Sequence, residues 1–273
     1  MEHVSTYLTP EIKLSCYEDH FFKSDVVFDH HLLIWFISGR TRIVQADGVH
    51  AFQTGDIFLI PRNQPATILN YPHDGLPHKT VVMELTTDFL RGFYHGLKAP
   101  AVGPAVPRIR GFGQHPLLES CLASLVPYFA LEGAFPPELA ALKLTEAVSI
   151  LRAIAPDLDG VLAHFDDPHK VDLVRFMEKN YMFNLPAETF GQLTGRSLTT
   201  FKRDFKKAFH TTPQRWLTHK RLELAHYQLT EQGKKPSDVC YETGFENLSH
   251  FSYAFKKQFG YSPAHLLALK GRA

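Results

Sequence analysis

Residues 201–209 read Phe201-Lys202-Arg203-Asp204-Phe205-Lys206-Lys207-Ala208-Phe209, and residues 251–259 read Phe251-Ser252-Tyr253-Ala254-Phe255-Lys256-Lys257-Gln258-Phe259. Three phenylalanines and a lysine pair recur at a constant offset of 50, and Pro213 and Pro263 keep the same offset. Self-similarity at such a period marks a repeated supersecondary unit. Phenylalanines at i, i+4 and i+8 share one face of an α-helix. Each stretch therefore predicts a helix that buries an aromatic stripe and turns its lysines elsewhere.

Upstream of each stripe lies a second recurring element. Ala187 to Leu193 is followed by Thr194-Gly195 and then Ser197; Pro236 to Glu242 is followed by Thr243-Gly244 and then Asn247. A short helix, a glycine turn and a second helix opened by an N-cap residue is the grammar of a helix-turn-helix. Gly195 and Gly244 can take left-handed turn geometry without steric cost. An α-solenoid of two hairpins would show the same repeat, but two copies are few for a solenoid. Charge also separates the halves. Residues 1–169 carry 12 Lys+Arg against 19 Asp+Glu, a net of −7, whereas residues 170–273 carry 17 against 9, a net of +8. A polyanion is the expected partner of the C-terminal part alone.

A recognition helix needs polar side chains on its outer, N-terminal face to reach base edges. The first helix, from Ser197 to Phe209, offers Leu198, Thr199, Lys202 and Arg203. Arg203 is the best guanine reader, because its planar fork can bond two acceptors at once. The second helix, from Asn247 to Phe259, offers Ser249, His250, Ser252 and Tyr253 and no Arg or Lys on that face, so it is expected to position more than to read. Lys206, Lys207, Lys256 and Lys257 are the candidate phosphate contacts. Any one of these side chains also reads as plain solvent exposure, and for His250 and Tyr253 the two readings lie close together.

The segment from about Asp172 to Leu267 resembles the AraC/XylS-type transcription regulators. The resemblance is carried by Arg221-Leu222-Glu223-Leu224-Ala225, Thr243-Gly244-Phe245, Phe255-Lys256-Lys257-Gln258-Phe259-Gly260 and Ser262-Pro263. It implies seven helices, a connecting helix over roughly Gln214 to Thr230, and a second helix of each unit that enters a major groove. Gly191 and Cys240 depart from the family's usual alanine, and Leu266-Leu267 from a usual Tyr-Arg pair. Phe176-Met177-Glu178-Lys179 and Leu198-Thr199-Thr200-Phe201-Lys202 are similar to the branch containing type III secretion activators. The implied function is sequence-specific binding of double-stranded DNA for transcription regulation, with activation favoured over repression. RNA polymerase is then a further partner.

From Val26 to Leu85 short apolar runs (Leu32 to Ile37, Ile57 to Ile60, Thr80 to Leu85) alternate with turn residues such as Gly39, Asp47-Gly48 and Gly55-Asp56. This spacing predicts a small β-barrel or sandwich, and Gly55-Asp56-Ile57-Phe58-Leu59-Ile60-Pro61 resembles the cupin-like sensor domain of the same family. Helical patterns follow at Leu117 to Leu131 and Pro137 to Ile154. The expected architecture is thus an α+β two-domain chain. A cupin-like β-barrel with trailing helices (1–155) leads through a connection (156–169) to an all-α double helix-turn-helix domain (170–273).

A metal-binding cupin places its histidines at alternate strand positions, but His30 and His31 are adjacent and no glutamate follows, so no metal or cofactor is expected. Trp35, Phe36, Arg42 and Tyr71 are candidate lining residues of an effector pocket. Leu118, Leu122, Leu125, Leu139, Leu142 and Ile150 form the candidate face of a homodimer, with packing on their own barrel as the competing use. Control by a small-molecule effector or a regulatory protein is expected. Three cysteines without paired spacing, no apolar run of about 20 residues and no signal-like N-terminus point to a cytoplasmic protein without a membrane segment. The competing readings are a cupin-type metal enzyme with a helical appendage, marked by bound metal, and a helical interaction adaptor, marked by absence of DNA binding.

Overall fold

The computed structural model describes residues 3–17, 22–71, 77–97, 107–130, 135–166 and 170–270. It divides into two compact units, residues 1–166 and 167–273.

The first unit is built from two antiparallel sheets. One holds six strands in the order β1 (His3–Thr9), β2 (Ile12–Tyr17), β9 (His78–Leu85), β4 (His31–Ser38), β7 (Ile57–Ile60) and β10 (Arg110–Gly113). The other holds β3 (Phe22–Val26), β8 (Ala66–Tyr71), β5 (Arg40–Gln45) and β6 (Gly48–Gln53). Strand β4 reads as an unbroken apolar run because both of its faces are covered. Leu32 and Phe36 join Ile43, Phe58, Ile60 and Val82 in a core between the sheets. Leu33 joins Ile57, Leu59, Val81 and Met83 in a core on the opposite face, under the helices.

Those helices are α1 (Thr87–His95), α2 (Pro116–Ala123), α3 (Pro137–Ile154) and α4 (Asp159–Leu162). In α3 the positions Ala140, Leu144, Ala147, Val148 and Leu151 are buried, the spacing of a single helical stripe. Helix α2 is shorter than the pattern from Leu117 to Leu131 implies. It stops at Ala123 and gives way to a 3₁₀ turn over Val126–Ala130. Pro127, which lacks an N–H and disfavours helical geometry at the residue before it, accounts for the break. Leu131 itself lies outside the described residues. The expected connection 156–169 also changes character. Leu158, Val161 and Leu162 are buried, and Asp159 accepts hydrogen bonds from Arg152 and from the Tyr94 hydroxyl, so 156–162 belong to the first unit. Residues 167–169 are not among those described.

The second unit consists of seven helices among the described residues: α5 (Leu173–Asn180), α6 (Ala187–Leu193), α7 (Leu198–Phe209), α8 (Pro213–Thr230), α9 (Pro236–Glu242), α10 (Leu248–Phe259) and α11 (Pro263–Lys270). Helix α8 is the connecting helix. Its first half carries Trp216, whose ring lies 5.6 Å from that of Phe205 and 4.6 Å from that of Phe209. Its second half carries Leu222, Ala225 and Leu229 into the cluster of Phe251 and Phe255. Phe201, Phe205, Phe251 and Phe255 are all fully buried, each contributing roughly 1.5–3 kcal/mol by apolar burial.

Candidate nucleic-acid interface

The two helix-turn-helix copies are built by the same local chemistry. Thr194 and Thr243 are fully buried, and their hydroxyls donate back to the carbonyls of Phe190 (2.8 Å) and Val239 (2.7 Å), closing α6 and α9. Ser197 then caps α7 by accepting from the Thr200 N–H, and Asn247 caps α10 by accepting from the His250 N–H. Both second helices end in the left-handed region, at His210 (φ 57°) and Gly260 (φ 85°). Gly191 has a reason to differ from alanine: a Cβ there would lie 3.0 Å from the Arg196 carbonyl oxygen. Cys240 is fully buried in the aromatic cluster, and Leu266 packs against that cluster.

Because the phenylalanines take one face of each second helix, the opposite face is left to solvent. On α7, Thr199, Lys202, Arg203, Lys206 and Lys207 are exposed and Leu198 is half-buried. On α10, Ser249, His250, Tyr253, Lys256 and Lys257 are exposed and Ser252 is half-buried; Tyr253 is 69% exposed. Arg203 is held by a carboxylate. Its Nε and Nη2 donate to Asp204 Oδ1 at 3.3 and 3.2 Å. Asp204 is also gripped by Arg196 at 3.2 Å and Lys170 at 3.5 Å. Desolvation opposes ionisation of Asp204, but hydrogen bonds from Arg196 and Arg203 hold its carboxyl below the usual range. An exposed pair of this kind is weak, so Arg203 can exchange Asp204 for another acceptor.

Two arginines in the basic half do structural work that the spacing did not reveal. Arg196 has only 7% of its side chain exposed and donates to the carbonyls of Val171 and Thr194. Arg221, on α8, is buried and donates to the carbonyls of Tyr181 (3.0 Å) and Phe183 (2.6 Å) and to Asn184 Oδ1 (3.1 Å). Gly244, in the second turn, sits against the same loop: a Cβ there would lie 2.8 Å from the Met182 carbonyl oxygen. The two copies are thereby seated against each other.

In the first unit a cavity of about 360 Å³ lies between the sheets. Phe36 lines it, but Trp35, Arg42 and Tyr71 do not. The reason is strand alternation. Leu32, Ile34 and Phe36 face the cavity, so Trp35 packs on the helix side. Thr41 and Ile43 take the inner positions of β5, leaving Arg42 exposed, and Asn70 takes the inner position beside Tyr71. The candidate dimer face is corrected in the same way. Leu118, Leu122 and Leu125 are fully buried in the unit's own core, Leu139 and Ile150 pack against it, and only Leu142, 65% exposed, is left facing solvent. His31 is buried with Nδ1 accepting from the Arg62 N–H, and burial, with the Arg62 charge, lowers its pKa to about 3. Among the described residues no three His, Cys, Asp or Glu side chains converge as a metal site, and no helix is long and apolar enough to cross a membrane.

A paired helix-turn-helix unit with polar, cation-bearing outer faces, joined to a β-barrel unit, defines a sequence-specific DNA-binding transcription regulator. Comparison with known proteins agrees. A helix-turn-helix domain family matches residues 191–268, and the ExsA N-terminal regulatory domain family matches residues 31–151. The chain is thus similar to AraC/XylS-type transcription regulators, in its second unit through the helix-turn-helix family and in its first through the ExsA N-terminal family. It is 27% identical over 236 residues to the HTH-type transcriptional regulator ExsA of Pseudomonas aeruginosa, spanning 84% of this chain and 82% of that protein. It is 26% identical over 155 residues to the virulence regulon transcriptional activator VirF of Yersinia enterocolitica, spanning 56% and 57% of the two chains. Among solved structures, ToxT from Vibrio cholerae aligns over 94% of this chain and 98% of its own, with 13% identity and a TM-score of 0.42.

Proposed function

We propose that this regulator is a transcription activator that reads two adjacent major-groove segments with α7 and α10 and is controlled through its first unit. Thr199, Lys202 and Arg203 on α7, with Leu198 alongside, and Ser249, His250, Ser252 and Tyr253 on α10 are the base-facing set. Lys206, Lys207, Lys256 and Lys257 contact phosphate. The observation that carries this reading is the equivalence of the two copies: a buried threonine, a side-chain N-cap (Ser197 or Asn247) and a phenylalanine stripe at matching positions turn both second helices outward. The name of one relative, a virulence regulon transcriptional activator, supports activation; an activator would act on RNA polymerase, in the cytoplasm. The controlling signal is a small effector or a partner protein, and a homodimer would suit repeated DNA sites.

Selection of the full chain against randomised duplexes tests the proposal. The expected product is a site with two segments about 10 base pairs apart. Affinity for it should fall steeply with salt as phosphate counterions are released. Enrichment of no common sequence, or a flat salt dependence, would refute DNA reading by this face.

A further inference from the structure

We propose that Asp204 is a positioning residue for base reading: it keeps one edge of the Arg203 guanidinium on its carboxylate so that the other edge is presented to a guanine. The proposal rests on reading Arg203 as a base contact and names what sets its selectivity. A guanidinium has two donor edges, one formed by Nε and Nη2 and the other by Nη1 and Nη2. Arg203 places the first edge on Asp204 Oδ1, at 3.3 and 3.2 Å. The second edge carries two parallel N–H groups that match the O6 and N7 acceptors of guanine. Arg203 therefore need not leave Asp204 in order to read a base.

The carboxylate is itself anchored from the turn before the helix. Its other oxygen, Oδ2, accepts from Arg196 Nε at 3.2 Å and lies 3.5 Å from Lys170 Nζ. Arg196 is fixed in turn: its Nη1 donates to the Thr194 carbonyl at 2.6 Å and to the Val171 carbonyl at 3.0 Å. A chain of hydrogen bonds thus runs from backbone carbonyls through Arg196 and Asp204 to Arg203, whose side chain is 73% exposed. A long exposed side chain loses rotamer freedom when it is fixed on DNA, and support present beforehand reduces that loss.

The helix-turn-helix itself does not require this acid. In the second copy Ala254 stands at the position of Asp204 and Tyr253 at that of Arg203. Helix α10 nevertheless keeps its side-chain cap, its buried phenylalanines and a half-buried residue at 254. Of these two helices, the one that carries the arginine carries the acid. A carboxylate on a helix that approaches DNA also opposes the phosphates, which weakens binding to every sequence alike. A residue that only held the helix in place would not need that charge.

Selectivity gives the charge a use. Water leaves this face when DNA binds, and the attraction between Asp204 and Arg203 strengthens as the surroundings lose dielectric. With its inner edge held, Arg203 can offer only the outer edge. Guanine satisfies both N–H groups of that edge. Adenine offers one acceptor and sets its N6 amino group against the second N–H. Without Asp204 the guanidinium is free to turn to a phosphate, a contact that every sequence provides. Asp204 thereby lowers general affinity and raises discrimination.

The test titrates the full chain and its variants with the duplex obtained by selection, with its single-base variants and with an unrelated duplex, at several salt concentrations. Asp204→Ala is expected to lower the preference for guanine at the position read by Arg203 roughly fivefold. It should also raise affinity for the unrelated duplex and steepen the salt slope there by about one unit, as Arg203 turns to phosphate. Arg203→Ala and the double variant should show the same base preferences, because Asp204 acts through Arg203. Asp204→Asn, of the same size without the charge, should move in the same direction and takes the place of Asp204→Ala if that variant does not fold. Unchanged guanine preference in the Asp204 variants, or a further loss of preference when Asp204 is removed from Arg203→Ala, overturns the proposal. Loss of the preference in Arg203→Ala but not in the Asp204 variants rejects the role of Asp204 alone. Equal weakening of all duplexes by Arg203→Ala rejects base reading by Arg203, and the proposal with it.

Discussion

Replacing Gly244 by alanine, measured beside Gly260→Ala, tests how the second helix-turn-helix is seated. The two glycines have almost the same backbone, with φ of +83° and +85°. An alanine forced into this left-handed region loses roughly 1–2 kcal/mol, and that cost is common to both positions. Their surroundings differ. At Gly260 an added Cβ meets nothing within 4 Å, whereas at Gly244 it would lie 2.8 Å from the Met182 carbonyl oxygen and 3.2 Å from Arg221 Nε. The oxygen belongs to backbone and cannot swing aside. The loop that carries it is held at Tyr181, Phe183 and Asn184 by Arg221. Forced repacking of a tight site adds about 1–3 kcal/mol. Gly260→Ala should therefore lose about 1–2 kcal/mol and Gly244→Ala about 2–5 kcal/mol. Urea unfolding followed by Trp216 fluorescence, in a Trp35→Phe background, reports on the second unit alone, since these are the two tryptophans of the chain. Equal losses, or a larger loss at Gly260, would show that the contact with the Met182 loop does not seat this turn.

Arg203→Ala should cost about 1–3 kcal/mol at one base position and relax discrimination there, whereas Lys206→Ala should weaken all sequences alike and lower the salt slope by about one unit. If Arg203→Ala lowers operator and scrambled DNA by the same factor, Arg203 is not a base reader. Tyr253, 69% exposed on the outward face of α10, is expected to pack on a thymine methyl. Replacing the thymines of the second segment with deoxyuridine should weaken the parent protein but not Tyr253→Ala, and equal weakening of both would exclude that contact. His31 and His78, lowered to about 3 and about 4 mainly by burial, stay neutral in the folded chain while their unfolded counterparts take a proton below about pH 6.5. The unfolded state then binds more protons, so stability falls as pH drops from 6.5, by roughly 1.4 kcal/mol per pH unit for each histidine, until the folded values are reached. Unfolding curves of His31→Gln that keep the full slope of the parent between pH 6.5 and 5 would contradict this.

The helical half was legible because its signals are local. The phenylalanine stripes, the caps at Ser197 and Asn247 and the turns at Gly195 and Gly244 each depend on neighbours within a few residues, and the structure keeps all of them. Strands β4, β7 and β9 were legible for the same reason, whereas β1, β2, β10 and all of β3 but Val26 lie outside the stretch whose runs and turns marked strands. The barrel's interior was not legible, because which wall a side chain lines depends on register between distant strands. Trp35 and Phe36 cannot both line the pocket, because adjacent strand positions face opposite ways, the argument that separates His30 from His31. The pairings Ser15↔Thr80 and Thr41↔Asn70, which assemble the polar end of the cavity, span 65 and 29 residues and leave no trace in local spacing. The leucines of α2 failed as a dimer face because an apolar stripe does not say which surface covers it. Here the covering surface is the unit's own six-stranded sheet.

The basic excess of the second half shows how far composition carries and where geometry must take over. A net charge of +8 marks the half that meets DNA but does not say which cations do. Arg196 and Arg221 are buried on backbone carbonyls, Lys220 pairs with Glu178, and Lys234 pairs with Glu242. These four hold the seven-helix unit together and cannot release counterions from a phosphate without leaving their partners. On the outward faces α7 presents Lys202, Arg203, Lys206 and Lys207, whereas α10 presents Lys256 and Lys257 beside Ser249, His250 and Tyr253. Counterion release scales with the number of phosphates neutralised. The salt dependence of binding should therefore originate mostly at the segment read by α7, which faces four cations against the two of α10. Duplexes mutated in one segment at a time separate the two contributions, because loss of the first segment should flatten the salt slope and loss of the second should leave it steep.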